Sequence, residues 1–491
     1  MMDKEVKKEK IFIFATLFVF IALAIIKIIY HEPWRDEAQA WLLARDLNIM
    51  ELFKNMKYEG HPILWHMLLK VLQIFKLPYV SEMILHALLN IIAVYLILAK
   101  IKMNKLLKIL FVFSDIVAFE YLVIARSYVL ILLIMVLIAI MYKNRFKNYI
   151  KYSILIILLA NTSLHALGIA TALTILYGFE IVRKYKSKEI NKKDVILRAI
   201  CITLILISIT GILLMLRNEE TKGNLSNKIS YRINNDSMGL IEDGLNTYGK
   251  GFTGDIGIDD NIVLLLGFFM VIYGYMLFHK KLEILFIYIF SSGFLYAIFV
   301  FINFSGTRHA YLYVLIFMFC IWLTPYYEEE KEDALNYLIL YATLFLLVIV
   351  GSINSYKDYI NTFSDGRNLA RFIKENNYED YTIISYESAM ISACLPYFEN
   401  KQIWCIEDEN YHTYMPWTDK FNHAYGRRQE LLMELENTIN RNFLEEQKVL
   451  LILDKRLNIN FTNKLDLVYR SGDVLTNDEY NVYVYKERSL K

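Results

Sequence analysis

Apolar runs close to twenty residues long recur along this chain, and lysine and arginine gather in alternate gaps between them. Runs of that length cross the hydrocarbon core of a bilayer as helices. The first spans Ile11 to Tyr30 and is preceded by Lys4, Lys7, Lys8 and Lys10; no small-residue cleavage site follows, so it reads as a retained signal anchor. Further spans are expected over Val80–Ala99, Leu106–Leu122, Tyr128–Tyr142, Ile154–Thr162, Ala166–Val182, Ile196–Leu216, Ile262–Phe278, Leu282–Ile302, Tyr311–Leu323 and Leu335–Val350. The stretch Ile63–Leu77 is shorter and carries His66, Lys70, Gln73 and Lys76, the pattern of an amphipathic helix lying in the interface. With that segment left out of the count there are about eleven spans.

The basic gaps then orient the chain, since loops rich in lysine and arginine stay inside. Lys100 to Lys108, Lys143 to Lys151, Arg183 to Lys193 and His279 to Lys281 all fall on the inner face, together with the N-terminus. The acidic turn Glu328–Asp333 is also inner, and acids weigh little in orientation. Two polar stretches, 31–79 and 217–260, become outer loops of a membrane domain over residues 1–352.

From about Ser352 the pattern changes. Arg367–Glu375 reads as an amphipathic helix and Leu431–Phe443 as helical; Tyr381–Tyr386, Gln402–Ile406, Val449–Asp454, Leu465–Tyr469 and Asn481–Tyr485 read as strands. Residues 353–491 are expected to form an extracytoplasmic α/β domain with its own core. The fold class is therefore mainly α, a polytopic membrane protein with interfacial helices in its first outer loop and a C-terminal α/β domain.

Composition supports this class. The chain has 491 residues, 56% hydrophobic and 15% aromatic, with a mean hydropathy of +0.34. A net charge of +2 gives no reason to expect nucleic acid. The abundance of lysine, isoleucine and asparagine is of the kind that an AT-rich bacterial genome writes. Of the four cysteines only Cys394 and Cys405 lie in a polar region; their spacing fits no zinc motif, and a single disulfide there is neither required nor excluded.

Candidate chemistry gathers on the outer face. Tyr30 to Arg45 carries Arg35, Asp36 and Glu37 between Trp34 and Trp41, and Glu59 and His61 follow. Arg126, His165 and the pair Arg308-His309 sit at other outer turns. Singly, each has a plain explanation: tryptophans anchor at headgroups, and arginines snorkel. As a set they describe an outward-facing pocket with both acids and cations at the membrane boundary, where ionisable groups are costly to keep. A carboxylate there can take a proton from a hydroxyl, and arginine can hold a phosphate. Transfer of a sugar from a lipid-linked phosphate needs both. A flippase or transporter would more often place its charges at mid-membrane, whereas a surface-polysaccharide polymerase or ligase shares the substrate class.

Three motifs carry a resemblance. Trp34-Arg35-Asp36-Glu37-Ala38-Gln39-Ala40-Trp41, Glu59-Gly60-His61-Pro62-Ile63-Leu64-Trp65 and Ala125-Arg126-Ser127-Tyr128 resemble the GT-C membrane glycosyltransferases. The closest branch is that of protein O-mannosyltransferases, aminoarabinose transferases and lipopolysaccharide-sugar transferases. The resemblance implies a polyprenyl-phosphate sugar donor, a glycan, lipid or protein acceptor, and Asp36 as general base or metal ligand with Glu37 beside it. It also implies His61 lining the pocket and Arg126 in the family's Ala-Arg-Pro-Tyr-like turn, whose proline is Ser127 here. Many relatives carry an acid next to that turn. This chain has Val123-Ile124 there, with Glu120 one helical turn back as the candidate second ligand of a divalent metal.

Overall fold

The computed structural model describes residues 2–216, 233–234, 236–255, 257–302, 306–327, 337–386, 388–418, 420–421, 448–453, 465–476 and 478–485. The expected helix Leu431–Phe443, the acidic turn Glu328–Asp333 and the first part of the 217–260 stretch lie outside the described residues. Eight described helices are long and apolar enough to cross a membrane: Lys4–Tyr30, Val80–Lys100, Leu164–Lys186, Lys192–Met215, Asp260–Phe278, Leu282–Phe301, Thr307–Tyr326 and Leu338–Ile360. Shorter apolar helices cover Tyr128–Asn144 and Tyr149–Ala160. The chain is an integral membrane protein. It divides into two compact units, one made of residues 1–26, 60–64 and 85–355, the other of 27–59, 65–84 and 356–491.

In the first unit the Thr307–Leu323 helix is the central element. Every side chain from Ala310 to Leu323 is buried, as an all-apolar helix requires. Part of the stretch read as a polar loop, 217–260, is instead the Ser237–Thr253 helix. Its glycines and polar residues look like loop, but the glycines are where other backbones press close. A Cβ on Gly249 would stand 2.1 Å from the Val263 carbonyl oxygen, and one on Gly251 2.5 Å from that of Ala310. Small residues permit this close approach between membrane helices.

The single span expected over Leu106–Leu122 is also different. It runs as α-helix over Lys105–Val112, turns into a π-helix over Ile116–Glu120, and resumes briefly over Tyr121–Val123. A widened turn opens backbone carbonyls that lipid cannot satisfy. Two buried side chains of the Val80–Lys100 helix fill them: His86 Nδ1 lies 3.2 Å from the Leu122 carbonyl, and Asn90 Nδ2 donates to those of Val117, at 3.1 Å, and Tyr121.

The second unit is built on a six-stranded mixed sheet in the order β3-β2-β1-β4-β6-β5. The strands are β1 Thr382–Ser385, β2 Ile403–Cys405, β3 Asn410–His412, β4 Val449–Leu453, β5 Leu465–Arg470 and β6 Asn481–Tyr485. β1 pairs in parallel with β2 and β4, and the remaining pairings are antiparallel. Five strands and the Gly366–Glu375 helix fall where the sequence pattern places them; β3, whose residues are mostly exposed and polar, does not. Because strand side chains alternate, Ile383, Ile403, Leu450 and Val482 fill one face with Leu369 and Ile373, while Ile384, Leu451 and Tyr483 fill the other. Leu42 belongs to the first of these cores, so the Arg35–Asp46 helix is built into this unit. Cys394 and Cys405 are buried free thiols.

Candidate functional site

In the first unit the structure brings His61, Glu120, Arg126, His165, Arg308 and His309 into one neighbourhood. Arg126 Nη2 lies 3.0 Å from His61 Nε2. Arg308 Nε stands 3.4 Å from Glu120 Oε2. The rings of His165 and His309 stack at 4.9 Å, and Tyr128 meets His309 edge-on at 5.4 Å. Tyr121 in turn stacks on Tyr128 at 5.9 Å. His61, Arg126, His165 and Arg308 all act electrostatically on His309, which ties the contacts into one group.

Local structure explains why these residues meet. Arg126 lies two positions before the Tyr128–Met141 helix, His165 sits in the 3-10 turn Leu164–Ala166 that opens Leu167–Lys186, and Arg308 is the second residue of Thr307–Leu323. Three helix N-termini therefore converge, and each brings unsatisfied N–H groups and the positive end of a helix dipole. Two guanidiniums face one carboxylate among these side chains, so the group carries an excess of positive charge. Such a site attracts an anion.

The first-loop acids lie in the second unit and have other partners. Glu37 is fully buried. Its Oε2 accepts the Trp34 N–H at 3.1 Å, reaching back to the start of the helix, and stands 3.5 Å from His31 Nε2. His31 is also fully buried, with Nδ1 3.2 Å from Asp358. Burial works against its charge, but hydrogen bonds and charge from Asp358 and Glu37 outweigh that and hold the imidazole above its ordinary 6.5, at about 9. Glu59 accepts a hydrogen bond from Gln39 Nε2 at 2.9 Å, and the same amide donates to the Met415 carbonyl at 2.7 Å. Asp36 is partly exposed at the first turn of the Arg35–Asp46 helix. Arg35 binds Asp478 through its backbone and its guanidinium.

Among the described residues no group of three or more His, Cys, Asp or Glu side chains is arranged to hold a metal ion. Glu120, the candidate second ligand, meets the Arg308 guanidinium. No protein-family model, curated protein or solved structure matches this chain.

Several residues of these neighbourhoods had no signal of their own in the sequence. His31 stood inside the Tyr30–Arg45 stretch and could have been suspected as a histidine beside two acids. Asp478 and Asp358 reach Arg35 and His31 across long separations, and no spacing rule finds them.

Proposed function

We propose that this protein is a membrane glycosyltransferase that moves a monosaccharide from a polyprenyl-phosphate donor to an acceptor hydroxyl on a surface glycan, lipid or protein. The observation that carries the reading is the convergence of three helix N-termini, with Arg126 and Arg308, inside the helical unit. A phosphate whose lipid chain stays in the bilayer needs cations at the depth of its headgroup, and arginine binds phosphate with two parallel hydrogen bonds. His61, His165 and His309 line the same neighbourhood and can hydrogen-bond donor or acceptor oxygens. The reading takes the chain as about eleven spans, the N-terminus as cytoplasmic, and the site and the second unit as extracytoplasmic, following the lysine distribution.

The proton-accepting role is assigned to Asp36 on the strength of the motif it stands in. Glu37 is the less suitable of the pair, because its carboxylate is buried against Trp34 and His31. In the reaction the acceptor oxygen attacks the sugar C1, its proton passes to Asp36, and the C1–O bond to phosphate breaks. The electron pair leaves with the polyprenyl phosphate, an anion of the kind that arginine neutralises. Direct displacement inverts the anomeric centre.

The test uses purified protein in lipid nanodiscs and a radiolabelled polyprenyl-phosphate sugar. Transfer with release of lipid phosphate is expected. Asp36→Asn should lower kcat by two orders of magnitude or more, the usual scale for removing a general base. Arg126→Gln should raise the donor KM. Unchanged transfer by Asp36→Asn would remove Asp36 from the mechanism, and intact donor that has only changed leaflet would point to flipping.

A further inference from the structure

The Arg35–Asp46 helix starts against a carboxylate from the far end of the chain. Asp478 is fully buried. Its Oδ2 accepts the Arg35 N–H at 3.2 Å and the Ser364 hydroxyl at 3.0 Å, and its Oδ1 stands 3.8 Å from Arg35 Nη1. The Arg35 carbonyl accepts from Ser392 Oγ at 3.5 Å, and the guanidinium also reaches Met390 Sδ. Arg35 is thus held at its N–H, its carbonyl and its side chain, one residue before Asp36, whose charge bears on Asp478 directly.

We propose that Asp478 is the positioning residue for Asp36: by gripping the backbone and guanidinium of Arg35, it fixes where the next residue presents its carboxylate. This rests on the reading of Asp36 as proton acceptor. The first N–H groups of a helix need an acceptor, and an anion there gains from the dipole. A neutral asparagine could fill the first need, so what asparagine lacks is the charge that holds the guanidinium. That charge is costly to keep in a buried place. Burial pushes the Asp478 carboxyl up to about 6, against the pull of Arg35. The titratable and charged groups that face it are Arg35 and Asp36 on the helix and Tyr480 in its own segment; the Ser364 hydroxyl donates to the carboxylate, and the Asp478 backbone N–H donates to Thr476 Oγ1.

The experiment compares the full-length protein with Asp478→Asn and Asp36→Asn in nanodiscs, reading kcat and donor KM from pH 5 to 8, the thermal midpoint, and amide exchange over residues 34–40. Wild-type kcat should fall as pH drops through about 6. Asp478→Asn should show at least a tenfold lower kcat at pH 7.5, an unchanged donor KM and no limb near pH 6. Its midpoint should be no lower than that of wild type, because the neutral side chain avoids burying a charge. Faster exchange of the Trp34–Gln39 amides should accompany the loss. The proposal is overturned if Asp478→Asn keeps wild-type kcat, retains the limb, or loses activity only in step with its midpoint. If Asp36→Asn is fully active, or no protein transfers sugar, the reading of Asp36 fails and the exchange arm decides the positioning claim alone: unchanged exchange sinks it.

Discussion

His31→Gln tests the electrostatics of the second unit. His31 is fully buried between Asp358 and Glu37 and titrates at about 9 rather than 6.5. The folded-state value is raised, so the stabilisation is complete below the unfolded value of 6.5 and is lost as pH rises through about 9. At ~1.4 kcal/mol for each tenfold change in proton affinity, the shift corresponds to about 3 kcal/mol between those limits. For a unit of this size that is a fall of roughly 6–12 °C in thermal midpoint, at about 2–4 °C per kcal/mol. Glutamine retains hydrogen-bonding capacity and loses the charge, leaving two buried carboxylates without their cation. The variant should therefore unfold well below wild type at pH 6 and approach it at pH 9.5. Thermal unfolding in detergent, followed by tryptophan fluorescence across that range, reads both curves. A wild-type midpoint that stays flat from pH 6.5 to 9, or a variant that keeps the wild-type slope, would refute the assignment of a charged His31.

Two further substitutions probe the helical unit. Asn90→Leu deprives the Val117 and Tyr121 carbonyls of their donor and should lower stability by about 1–3 kcal/mol, the cost of a buried acceptor left open; a midpoint equal to wild type would show that the π-segment needs no support from Asn90. Gly249→Leu places side-chain atoms where the Val263 carbonyl already stands, so it should force the two helices apart and lower the midpoint and the yield of monodisperse protein in detergent. Wild-type behaviour of that variant would contradict the close packing.

How far the sequence reveals this architecture depends on the distance over which each element is specified. Run length and alternation are local properties, and among the described residues the eight long apolar helices and five of the six strands follow from them. The Ser237–Thr253 helix does not. Its glycines are unfavourable for an isolated helix, by roughly 1 kcal/mol each, and become favourable only when Val263 and Ala310 are pressed against them. The π-helix Ile116–Glu120 is hidden for a similar reason, since its apolar residues suit an ordinary span and the side chains that meet its carbonyls, His86 and Asn90, lie on another helix. The cationic neighbourhood was more legible. Arg126, His165 and Arg308-His309 each interrupt an apolar pattern at its end, and ends are what hydropathy marks best.

The adjacency of Asp36 and Glu37 shows where local reading misleads. Neighbours on a helix point about 100° apart, so two acids in sequence are seldom two acids in one task. Glu37, the third residue of its helix, turns back on Trp34 and on His31, where it accepts the Trp34 N–H and offsets a buried cation. Asp36 sits one position earlier, is partly exposed, and its charge bears on Asp478. Arg35, next to it, is bound to a residue 443 positions away. A first-loop motif in this chain therefore depends on the C-terminal unit for its geometry: Leu42 lies in that unit's core, Gln39 bonds the backbone of Met415 and Arg45 that of Phe398. Residues 27–59 of the first loop thus share one compact unit with residues 356–491, whereas His61 belongs to the other unit.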